Sequence, residues 1–167
     1  IMGHLLAVEK YAQTNAIVSF VGILSIPTTI ITMISARYIA LDAAEGEVKI
    51  KGILNLMLKF SLIIGGIITF IVLLFQNQIV AVFKLDSKYY IIGSLIITII
   101  NLFFSITAGT LQGLKHFFPY GMQTVLVAVV KLVFSIILVL IGWQVYGIIA
   151  AILIGTIIAT MYGLCCV

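Results

Sequence analysis

The chain has little charge. Its 167 residues include nine Lys or Arg and five Asp or Glu, 8% of the total, beside 63% hydrophobic residues. So few charged side chains cannot cover a folded surface of this size in water, and a mean hydropathy of +1.35 agrees. The exterior must face hydrocarbon. Cysteine and histidine are equally sparse, at two each. Cys165 and Cys166 are adjacent at the end of an apolar run, where a mutual disulfide is strained, so they read as apolar fillers, with oxidation or acylation as the alternative. No paired carboxylates, nucleophile–base set or His and Cys constellation occurs, and no Gly-rich phosphate loop follows a strand. His116, beside Lys115, reads as a loop residue at the headgroup level. An enzyme is therefore not expected, nor a cofactor, nor a metal. The net charge of +4 fits cytoplasmic loops of a membrane protein and does not point to nucleic acid.

What is abundant is long apolar runs. A membrane helix needs about 20 apolar residues at 1.5 Å rise to cross a core of about 30 Å. Five stretches qualify, at about 12–36, 53–75, 89–114, 117–141 and 145–167. An all-α, polytopic membrane helix bundle follows, a single unit over 1–167. Pro27 is expected to kink the first span, and Gln76, Asn77 and Gln78 to close the second. Pro119 suits the first turn of the fourth, and the short Gly142, Trp143, Gln144 link makes the last two spans antiparallel neighbours. One membrane face collects Arg37, Lys49, Lys51, Lys59 and Lys115, the other Lys10, Lys84 and Lys88. That excess places the loop over 37–52 in the cytoplasm, with the N-terminus outside and the C-terminus inside. Residues 1–6 lack the marks of a signal peptide, and the first residue is Ile. The chain reads as a piece of something longer, with one helix missing upstream.

Polar residues inside the spans fall on stripes. In the third span Ser94, Thr98, Asn101, Ser105 and Gln112 share one helical face. Asn15, Ser19, Gly22, Thr29, Thr32 and Ala36 do so in the first, and Thr124, Ala128, Lys131 and Ser135 in the fourth. Such hydroxyls and amides either bond between packed helices or line a water-filled cavity. Lys131 stands deep in an apolar helix, where an ammonium facing lipid costs several kcal/mol. It snorkels, pairs with an acid outside this chain, or faces a cavity that holds water and an anionic ligand. Lys59 adds a second positive charge to that cavity or snorkels to the interface. In the fifth span Gly147, Ala151, Gly155, Ala159 and Gly163 recur every four residues, a groove of small side chains that another helix would fill; Gly109 and Gly113 offer a shorter version.

Four segments carry a resemblance: VEKYAQTNAIVSF entering the first span, ISARYIA with Arg37 at its end, GTLQGLKHF closing the third, and VVKLVFSIILVLIGWQVYGIIAAILIG across the last two. In layout the chain resembles helices two to six of the polysaccharide flippases in the multidrug, oligosaccharidyl-lipid and polysaccharide exporter superfamily. The resemblance implies part of the N-terminal six-helix lobe of a two-lobe, V-shaped transporter with alternating access. It implies membrane lipid and the remaining helices as partners, and as cargo a polyprenyl-diphosphate-linked oligosaccharide whose anionic head suits Lys131 with Arg37 or Lys59. Coupling to a proton or sodium gradient is common there, yet none of the five acids lies deep in a span. A drug or metabolite antiporter of the same superfamily, which for cationic drugs favours a buried acid, is the nearest alternative. A non-transporting scaffold or polymerase subunit predicts a dry interior instead. A membrane glycosyl- or acyltransferase would have to use Asp42, Glu45, Glu47 or Asp86, which read as solvated loop charges.

Overall fold

The computed structural model describes residues 8–42, 47–83 and 87–166, with side chains at 10–41, 52–83, 87–143 and 145–166. The side chains of all five acids, Glu9, Asp42, Glu45, Glu47 and Asp86, and of Lys49, Lys51 and Lys84 lie outside the described residues, as do His4 and Val167. Seven helices occur among those described: α1 (Val8–Leu24), α2 (Ile26–Asp42), α3 (Glu47–Leu74), α4 (Gln76–Phe83), α5 (Tyr89–Gly113), α6 (Phe117–Leu140) and α7 (Gln144–Cys166). No strand occurs among the described residues. Five helical stretches are long and apolar enough to cross a membrane, with α1 and α2 together making the first, Lys10–Leu41. The protein is an all-α polytopic membrane helix bundle.

The first span is broken, at Ser25. Pro27 has no N–H to offer the Ile23 carbonyl and disfavours helical geometry at Ile26, so it is tolerated only in the first turn of a new helix. The break therefore falls just upstream of the proline. At the break Ser25 donates twice to the Val21 carbonyl, its N–H at 2.9 Å and its hydroxyl at 2.7 Å. In the second span α3 and the apolar stretch end at Leu74, and Gln76, Asn77 and Gln78 begin the separate short helix α4. Hydrogen bonds from Phe75 N–H to Ile71 O (3.1 Å) and from Ile79 N–H to Phe75 O (3.0 Å) carry the ladder across Phe75. The short α4 brings Phe83 edge-on to Phe20, ring centroids 5.5 Å apart. The expected 37–52 loop is likewise helical at both ends, through Asp42 and from Glu47.

The turns after α5 and α6 are Schellman caps. Lys115 (φ 61°) and Gly142 (φ +99°) take the left-handed position after α5 and α6. Lys115 N–H donates to Gln112 O and His116 N–H to Leu111 O; Gly142 N–H donates to Val139 O and Trp143 N–H to Leu138 O. These pairs satisfy the last carbonyls of each helix and reverse the chain within three residues.

Helix α5 is the central post. It touches α1, α2, α3, α6 and α7, and 56% of its most apolar window is buried against 17% for α6. Two core clusters stack along it. One gathers Ile17, Phe20, Tyr90, Ile91, Val145 and Ile149, the other Ile31, Met57, Leu102 and Ile106. Glycine sets the closest approach: a Cβ on Gly109 would stand 2.6 Å from the Thr32 carbonyl oxygen, and one on Gly113 would stand 2.8 Å from that of Ala36. Lipid provides no hydrophobic drive between helices, so such backbone contact supplies the attraction through dispersion. The outer surface is apolar, with Phe118 78% and Met33 73% exposed.

Candidate functional site

Helix α6 is held by one face and open on the other. Its held face lies in the small-residue groove of α7. A Cβ on Gly147 would stand 2.9 Å from Leu138 Cβ, and one on Gly155 3.3 Å from both the Val127 carbonyl oxygen and the Lys131 amide nitrogen. Ala151, Gly155, Ala159 and Gly163 are all buried along this contact. The Lys131 backbone is therefore fixed against α7.

The open face carries Thr124, Ala128, Lys131 and Ser135, and with Phe104 of α5, Val127 and Leu132 it lines a groove of about 570 Å³. The Lys131 side chain is partly exposed there. Lys131 stands fourteen residues after the first residue of α6 and nine before the last, about 21 and 14 Å along the axis. A four-carbon stem does not carry an ammonium over that distance to either end. Thr124 donates to the Tyr120 carbonyl at 3.1 Å. Ser135 is 1% exposed, and its hydroxyl has no hydrogen-bond partner. Ser35 and Ser61, outside this groove, have buried hydroxyls in the same condition, so Ser135 is not singled out by it.

The other polar positions do not join this groove. Thr98 and Ser105 are buried and donate to the Ser94 and Asn101 carbonyls of their own helix, at 2.9 and 2.7 Å. Asn101 and Gln112 are half-buried on α5. Arg37 lines a separate groove between α2 and α3, and Lys59 is exposed on α3, lining neither. Two contributors escaped the sequence reading. Phe104 supplies the α5 wall, and Gln123, 0% exposed, donates through Nε2 to the Thr107 hydroxyl at 2.7 Å. A Cβ on Gly163 would meet that amide nitrogen at 2.6 Å, so α5, α6 and α7 join at this polar point. An amide inside an apolar span was the available signal. Among the described residues no three His, Cys, Asp or Glu side chains gather as a metal site would require.

Neither a family model, nor a curated protein, nor a solved structure matches the chain. The functional reading rests on the site.

Proposed function

We propose that this multi-pass membrane protein is part of a transporter that flips an anionic, lipid-linked oligosaccharide by alternating access, with the Lys131 groove as one wall of its cavity. One observation carries the reading: a lysine near the middle of a membrane helix, with no partner among the described residues, shares an open groove with Thr124. Intramembrane cations face cavities or partners rather than hydrocarbon, and a diphosphate head would satisfy the ammonium. A second lobe would close the opposite wall, and the membrane would be the bacterial cell membrane, with Arg37 and Lys115 cytoplasmic. A cationic-drug antiporter fits less well, because the groove bears an ammonium and no described acid.

The test uses the full-length protein with Cys165 and Cys166 replaced and single cysteines at Thr124, Lys131 and Ser135. A membrane-impermeant thiol reagent should label Thr124 and Lys131, and lipid-linked oligosaccharide should block that labelling, while cysteines at the buried positions Ser135, Thr98 and Ser105 stay unlabelled. Lys131→Gln should lower flipping in vesicles at least about tenfold, the scale of one lost charge-assisted contact. No labelling at either Thr124 or Lys131 would make the stripe a dry helix contact and favour a scaffold.

A further inference from the structure

The second groove, between α2 and α3, has the shape of a lipid rather than of a helix. Its floor is Ile31 and Met57, buried against α5, and its walls include Ile34 and Phe60, both exposed. It encloses about 830 Å³, within the roughly 300–1,000 Å³ typical of sites that bury a small ligand. From Arg37 to Pro27 it follows ten residues of α2, about 15 Å, which is half the depth of a hydrocarbon core of about 30 Å. One leaflet's acyl chain runs that far.

Two observations separate a lipid from a further helix. The closest backbone approaches among the described residues have glycine at the contact, as at Gly109 and Gly113 against α2 or Gly147 and Gly155 against α6, whereas α1 packs on α5 and α7 through larger side chains. The α2–α3 groove has no such stripe; branched and aromatic side chains line it, which suit a thin, flexible chain. Among the described residues its one charged group is Arg37, which sits towards the α2 end beside Tyr38, exposed and with no partner among them. Tyrosine and arginine at a helix end mark the headgroup level, and a guanidinium matches a phosphate with two parallel hydrogen bonds.

We propose that this groove binds an anionic phospholipid, its phosphate on Arg37 and one acyl chain between α2 and α3. The inference does not depend on the Lys131 groove or on any transported cargo. It is tested by placing p-benzoylphenylalanine at Phe60 of the full-length protein in phosphatidylcholine vesicles containing one-fifth phosphatidylglycerol, irradiating, and identifying lipid adducts by mass spectrometry. The ratio of phosphatidylglycerol to phosphatidylcholine adducts should exceed that of the bilayer about fivefold, the worth of one cation facing an anionic headgroup, which lifts phosphatidylglycerol from its one-fifth share to roughly half of the lipid captured. Arg37→Gln should return capture to that share. Lys115→Gln, which removes an exposed cation outside the groove, should leave it enriched. The same probe at Ile34 repeats the test from the opposite wall if the Phe60 variant fails to fold, and at Met161 it reports the bulk lipid. Capture at the bulk ratio in the parent protein, enrichment that survives Arg37→Gln, or adducts to protein alone would each overturn the proposal.

Discussion

Gly109 and Gly113 show how much a single missing carbon does in this bundle. A methyl group at either position would drive into the α2 backbone, which cannot rotate away as a side chain would. Gly109→Ala should therefore lose about 1–3 kcal/mol, the usual cost of overpacking. At Gly66, where nothing lies within 4 Å, the same change should gain up to about 1 kcal/mol from helix propensity. Reversible unfolding in mixed micelles measures both. The spacing of these glycines was legible in the sequence because close packing needs small residues at every fourth position. The fate of the hydroxyls was not. Thr98 and Ser105 find an acceptor one turn back in their own helix, an option open to any helical Ser or Thr, so spacing alone cannot tell a cavity wall from a self-satisfied face. Lys131 and Ser135 were legible as one stripe, but the missing partner of Ser135 depends on neighbours that only the fold supplies.

At the scale of elements, apolar length located the spans, whereas their interruptions depended on local hydrogen bonding. Pro27 announced a kink; that Ser25 would donate twice to one carbonyl at the break was not written in any residue count. Pro27→Ala restores a donor to the Ile23 carbonyl and should straighten the span. Spin labels at the exposed positions Tyr11 and Leu41 should then move apart; an unchanged distance would assign the break to Ser25. Three polar residues in a row follow the end of the second span at Leu74, but nothing in their composition announced the short helix α4 that they begin. It forms because the ring of Phe83 and the side chains of Ile79 and Val80 have core to reach.

Across the whole molecule, the contacts determine which positions share a membrane face. Gly113 lies on Ala36 and Ile39, so the Lys115 turn stands level with Arg37, and the Trp143 turn stands at the opposite end of α6. The proposed orientation, with the Lys115 side in the cytoplasm, rests on the charge excess alone. In intact cells an impermeant thiol reagent should reach a cysteine at Trp143 and miss one at His116, both exposed positions; the reverse pattern would invert the orientation.

The central place of α5 also bears on how the protein is made. A ribosome delivers the two spans that precede it first, and those two meet each other mainly around the open groove at Pro27 and Phe60. Until α5 leaves the translocon they have no common post to pack on, and α1 to α4 must wait in lipid as loosely associated helices. The α6–α7 hairpin has no such delay, since its tight turn and glycine seam are complete within its own residues. Biogenesis therefore follows the order of synthesis with one pause: the first four helices settle only when the third span arrives, and the last two, made after it, close on each other at once.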